Sequence, residues 1–209
     1  MSVIKLKICG VKSAAEARQL KNLDLDYIGL NFVPSSSRCI SFDTAASILE
    51  ELKDSGVQSV ALFSGQSLRQ VCDYAHRLKV DYVQLHGNES ADYAKMVDTP
   101  VIRAVSISPD SKATEIIDFI SQFPADYFVL DRHRQGTGSP IDLNLANQII
   151  QAHPSKIFLA GGLTSDNLAD VLNKTHPYGI DIAFGIRTNQ NTLDLAKVTT
   201  CLQTIHKAS

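Results

Sequence analysis

Residues 3–20 read VIKLKICGVKSAAEARQL. A short run rich in Val, Ile and Leu ends at Cys9 and Gly10; after Ser13, a plausible N-cap, AAEARQL (14–20) takes up helical spacing. A two-residue period thus gives way to a helical period across one short turn, which is the signature of a βα unit. The turn itself, GVKSAA at 10–15, lacks the GxGxxG that opens a dinucleotide-binding doubly wound sheet.

The same unit repeats along the chain. Strand-like runs follow at DYIGLNF (26–32), SVALF (59–63), DYVQLH (81–86), VIRAVSI (101–107), DYFVLD (126–131), KIFLAG (156–161) and GIDIAF (179–184). Helical patterns separate them at 43–53 with Asp43 as cap, 67–78, 89–97, 110–123, 142–152 and 165–172, and another at 192–206 closes the chain. Eight apolar strands joined by crossover helices predict a parallel sheet buried on both faces. Closure removes both edges, so the fold class read here is α/β, a single (β/α)₈ barrel over residues 1–209.

Composition narrows the partners. A formal net charge of −2 gives no field for nucleic acid or an anionic membrane. No apolar run is long enough to span a bilayer, and MSVIKLKICG has no signal-peptide core. Cys9, Cys39, Cys72 and Cys201 form no CxxC pair, so neither a zinc site nor a disulfide framework is expected, and the location read is cytoplasmic. Cys39, Cys72 and Cys201 read as packing residues.

Barrel chemistry sits at the carboxyl ends of the strands. The last inward positions there are Cys9, His86, Asp131 and Asp181, with Arg38 in the serine-rich loop VPSSSRCIS. A thiol and a carboxylic acid facing one ligand make a base and an acid, and Lys7 shares Cys9's face. Two glycine turns, AGGL (160–163) and FGIR (184–187), occupy the last two strand ends. Gly161, Gly162 and Gly185, with a helix starting at Thr164 or Ser165, make an anion site; the plainer reading is a tight turn and cap. GTG (136–138) reads as a loop over the site. Arg103 needs a partner inside the fold.

Together KICGVKSAAEA (7–17), GLNFVPSSSRCIS (29–41), VQLHGNE (83–89), YFVLD (127–131), GTGSPIDLNL (136–145) and LAGGLTSDNL (159–168) resemble the phosphoribosylanthranilate isomerase family of tryptophan biosynthesis. The resemblance implies a (β/α)₈ barrel and a cofactor-free Amadori rearrangement. It implies Cys9 as general base, Asp131 as general acid and Arg38 on the anthranilate, with Gly161, Gly162 and Gly185 on the phosphate. From their strand-end positions, His86, which could stack on or hydrogen-bond a ligand or else be a structural histidine, and Asp181 complete the substrate-binding set. The partner implied is a small phosphoribosyl molecule, the assembly a monomer or homodimer.

The chain departs from the family pattern at Phe184 and Arg187 after the last strand, at IDL (141–143), and at Asn31 in the second strand. Two alternatives stand beside the isomerase. One is a histidine-pathway type aminoaldose isomerase, whose two-phosphate substrate needs a second anion turn, here at Gly65 and Gly87. The other is a barrel that binds a phosphometabolite without turning it over.

Overall fold

The computed structural model describes residues 3–108, 110–132, 141–154 and 156–208. Its elements alternate as the sequence predicts: β1 (Lys5–Cys9), α1 (Ala14–Leu20), β2 (Tyr27–Asn31), α2 (Phe42–Leu52), β3 (Gln58–Phe63), α3 (Leu68–Leu78), β4 (Tyr82–Leu85), α4 (Ala91–Lys95), β5 (Val101–Ile107), α5 (Ala113–Gln122), β6 (Tyr127–Arg132), α6 (Leu143–Ala152), β7 (Ile157–Leu159), α7 (Leu168–Lys174), β8 (Gly179–Ile182) and α8 (Leu195–Ala208). The strands run in chain order round a closed barrel.

Serine caps account for several helix starts. Ser13, Ser41, Ser67 and Ser90 each accept the backbone N–H three residues on, satisfying an amide that has no partner within the helix. Asp43, expected as the cap of α2, lies instead in its first turn: Ile40 N–H still pairs with Asn31 O, the helix follows at once, and the Ser41 side chain accepts from Thr44 N–H. The helix expected from Thr164 or Ser165 begins only at Leu168, behind Asn167. Thr164 is drawn into a parallel bridge with Gly185, and its hydroxyl accepts from the amides of Asp166 and Asn167. β7 is short because Gly161 and Gly162 turn the chain at φ +88° and +80°, a region costly for any other residue type.

The chain divides into two compact units. The first comprises Lys7–Ala104 with Pro124–Asp126, the second Met1–Leu6, Val105–Phe123 and Tyr127–Ser209. In the first, the register sets Cys9 opposite Gly29, Asn31 opposite Leu62, and Leu62 opposite Gln84. Strand alternation then puts Lys7, Cys9, Gly29, Asn31, Leu62 and Gln84 on one face. Its outer layer is an aromatic cluster in which Phe32 stacks on Phe63 and Tyr74 meets both edge-on. In the second unit, Val129 lies opposite Phe158 and Phe158 opposite Gly179, so Asp131 and Asp181 share their face. A Cβ at Gly179 would stand 2.6 Å from the Phe158 ring, and that missing atom is what admits the ring.

Candidate active site

In the first unit, Cys9 ends β1 with 5% of its surface exposed. Its thiol rests over Gly29: a Cβ there would lie 2.9 Å from Sγ and 3.1 Å from the Cys9 Cα. Sequence reasoning passed over Gly29, although a glycine inside a strand is a signal of close approach. Lys7, two residues earlier on the same face, is fully buried.

Gly10 follows at φ +78°, and its missing Cβ is replaced by Arg38, whose Cδ would lie 2.4 Å from it. The Arg38 side chain is therefore laid across the turn that follows Cys9, and it is buried rather than solvated. Asn31 explains how the serine loop holds it there. Its Oδ1 accepts from Val33 N–H at 2.8 Å, its Nδ2 donates to Ser36 Oγ, and Ser36 Oγ accepts from Arg38 N–H. The departure at Asn31 is thus a local device that ties the end of β2 to the loop carrying Arg38. Asn31→Val removes both bonds and leaves the Val33 amide without its acceptor, at a cost of about 1–3 kcal/mol. The expected result is a melting temperature lowered by roughly 2–12 °C; an unchanged melting temperature would contradict this role.

His86 is half-buried just past β4, its amide bound to Phe63 O and its Nδ1 3.3 Å from Gln84 Nε2. Gln84 itself is fully buried, and its Oε1 has no hydrogen-bond partner. Arg103 has the partner that sequence reasoning left unnamed: its Nη1 donates to Glu89 Oε2 at 2.8 Å. The same carboxylate accepts from Gly65 N–H at 2.7 Å and from Gly87 N–H at 2.9 Å. Both turns considered for a second phosphate are therefore bound to a side chain of the protein.

Beside Glu89, the Tyr93 hydroxyl donates to Gln66 O. Burial first, then the nearby Glu89 charge, pushes this phenol up to about 12. Because the folded value is raised, the neutral phenol favours the fold fully below the ordinary tyrosine value of about 10. That contribution is lost as pH rises through about 12. Absorbance titration should show one tyrosine ionising near pH 12, and Tyr93→Phe should remove that step.

In the second unit, Asp131 is 6% exposed near the end of β6. Its Oδ1 accepts from Arg132 N–H at 2.8 Å. A Cβ at Gly161 would lie 3.1 Å from that oxygen and 2.9 Å from the Arg132 nitrogen, so the first turn glycine lets β7 close on the carboxylate. A Cβ at Gly162 would lie 3.1 Å from Arg132 Nη1. Arg132, which sequence reasoning did not single out, thus brings a guanidinium to the double-glycine turn.

Gly185 is required for backbone packing: a Cβ there would lie 1.9 Å from Leu163 O. The helix expected from Thr164 or Ser165 beside these turns starts behind Asn167, whose Nδ2 donates to Gly162 O. Asp181 is buried on β8.

After β8, Phe184 is 55% exposed, whereas Arg187 is buried. Arg187 Nη1 donates to Asn191 O, and Arg187 O accepts from Lys197 Nζ, so this arginine is built into its own loop. Asn191 takes φ +60° at the loop's tip. In IDL, Asp142 caps α6 and Ile141 is buried. The GTG segment (136–138) lies outside the described residues.

Of the other cysteines, Cys201 is buried in α8 and its thiol is pushed up to about 11, chiefly by burial. Cys72 is half-buried in α3 and also raised by burial. Cys39 is exposed, which corrects its reading as a packing residue. Among the described residues, no group of three or more His, Cys, Asp or Glu side chains could hold a metal ion, and no helix is long and apolar enough to cross a membrane.

A family model described as N-(5'phosphoribosyl)anthranilate (PRA) isomerase matches residues 6–204. A protein of Pelobacter propionicus named N-(5'-phosphoribosyl)anthranilate isomerase is 32% identical over 197 residues, 94% of this chain and 92% of that one. One of the same name from Sulfurihydrogenibium is 33% identical, covering 92% of this chain and 94% of its own. The crystal structure of phosphoribosyl anthranilate isomerase from Thermus thermophilus superposes with a TM-score of 0.86 at 25% identity, over 99% of this chain and all of the other.

Proposed function

The chain belongs to the N-(5'-phosphoribosyl)anthranilate isomerase family, and on that premise we propose that Cys9 is the general base and Asp131 the general acid of its reaction. The enzyme is an aldose–ketose isomerase of tryptophan biosynthesis: it carries out the Amadori rearrangement of N-(5'-phosphoribosyl)anthranilate to 1-(2-carboxyphenylamino)-1-deoxyribulose 5-phosphate.

Asp131 gives a proton to the ribose ring oxygen. The C1–O bond breaks as the anilino nitrogen lone pair moves in to form an iminium. Cys9 then takes the C2 proton, and the electrons of that C–H bond flow into the iminium to leave an enolamine, which tautomerises to the ketose. The substrate supplies its own electron sink, so two side chains suffice for the chemistry. Arg38 pairs with the anthranilate carboxylate, for which a guanidinium fork is suited. Gly161, Gly162 and Gly185 are the phosphate turns of this reading, with His86 and Asp181 as further substrate contacts.

One observation carries the assignment. Each proposed proton-transfer group is buried near a strand's carboxyl end, with a glycine where a side chain would displace it: Gly29 under the Cys9 thiol and Gly161 against the Asp131 carboxylate. Such confinement holds a group in a fixed geometry, which is what proton transfer requires. Turnover of freshly generated phosphoribosylanthranilate, followed by loss of its fluorescence, tests the reading; a folded wild type that leaves the fluorescence unchanged would sink it. The reading further carries a cytoplasmic location and a monomer or homodimer. The four free thiols suit the first, and sedimentation decides the second.

A further inference from the structure

Glu89 is one carboxylate with three donors on three different segments. Its Oε1 accepts from Gly65 N–H, and its Oε2 accepts from both Gly87 N–H and Arg103 Nη1, all at 2.7–2.9 Å. Two convergent backbone amides and a guanidinium make the donor set with which proteins bind free oxyanions. The space is close-fitting. A Cβ at Gly87 would lie 2.6 Å from Glu89 Oε1, 2.9 Å from the Gly65 nitrogen and 3.1 Å from Ser64 Oγ. The two glycine turns thus approach one another round the carboxylate, and the side chains of Glu89 and Arg103 are 3% and 10% exposed.

One donor, the Gly65 amide, sits in a turn that is also held by bonds that do not involve Glu89. Ser64 N–H donates to Gln66 Oε1, Gln66 Nε2 donates to Phe32 O at 2.8 Å, and the Tyr93 hydroxyl donates to Gln66 O at 3.0 Å. The β3–α3 turn therefore keeps its shape when the carboxylate is removed.

We propose that Glu89 fills, with its own carboxylate, an oxyanion seat at the ends of β3 and β4, and so makes the enzyme selective for substrates carrying no phosphate there. A two-phosphate aminoaldose needs a second anion turn, and in this chain the amides of Gly65 and Gly87 are already engaged. Glu89 is a specificity-determining residue that need not touch the substrate. Only the consequence for substrate choice rests on the isomerase reading; the seat is tested without substrate.

The probe is sodium acetate exchanged for sodium chloride at constant ionic strength, with thermal unfolding as the readout. Glu89→Ala is expected to melt lower than wild type and to recover about 3–5 °C at a tenfold excess of acetate over its dissociation constant. Wild type, and Glu89→Ala combined with Arg103→Met, should show no such saturable rise. Inorganic phosphate should add one equivalent of binding in Glu89→Ala over wild type.

Should Glu89→Ala not fold in chloride, its refolding yield from urea is expected to rise with acetate. An acetate response no larger than that of wild type, in melting or refolding, overturns the seat. Failure of Glu89→Ala to gain a phosphate overturns the exclusion. Absence of isomerase turnover in wild type would remove the isomerase reading and leave the acetate result standing.

Discussion

Asp131→Asn is expected to lower turnover of phosphoribosylanthranilate by about 10²–10⁴-fold, the range for loss of a positioned acid, while the protein folds as wild type does. The substitution is nearly isosteric. The asparagine Oδ1 still accepts from Arg132 N–H, and the contact with Gly161 is unchanged in size. What disappears is the transferable proton: an amide cannot protonate the ribose oxygen at neutral pH. Affinity for a reduced product analogue should stay within a few-fold, because opening the ring is not part of binding it. Turnover within tenfold of wild type would remove Asp131 as the acid.

Cys9→Ser comes second, with an expected loss of a hundredfold or more. The hydroxyl takes the thiol's place over Gly29 but ionises far above the thiol range, so at neutral pH almost no base is available. Ligand affinity should again be nearly intact. Alkylation offers an independent check. Burial pushes the thiols of both Cys201 and Cys72 up, whereas Cys39 is exposed. In a background with Cys39, Cys72 and Cys201 each replaced by Ser, loss of activity with iodoacetamide should track modification of Cys9 and slow when the product analogue is present. Wild-type turnover in Cys9→Ser would take the thiol out of the mechanism.

Departures from the family pattern fall into two kinds. Asn31, Asp142 and Arg187 each bind backbone in their own loop, so they replace one way of holding a turn with another. Phe184 is different: it is a large exposed apolar side chain beside Gly185, and nothing in the structure explains it. The two rival functions separate experimentally as well. A binding-only barrel would hold the reduced product analogue without turnover. A two-phosphate isomerase would need the amides of Gly65 and Gly87, which Glu89 holds.

How much was legible in the chain follows from the range of the forces involved. Strand and helix periodicity is a local property, so the alternation from VIKLKI onward specified a barrel, and α1 falls on residues 14–20 as read. Cys9, Asp131 and Arg38 could be singled out as candidates because chemistry-bearing side chains at strand ends stand out against an apolar background. Helix starts were less legible, because Ser41 and Asp43 are both good caps and the end of the preceding chain pairing chooses between them: Ile40 N–H still bonds Asn31 O, and Ser41 rather than Asp43 becomes the cap. Tertiary structure alone decided the pairings between distant segments. The Gly29–Cys9 and Gly10–Arg38 contacts bring residues 20 or more positions apart within a few ångströms, and Glu89 joins Gly65 to Arg103. A glycine's missing Cβ and a carboxylate's choice of donors have no local signature: each is set by whatever atom the fold brings against it.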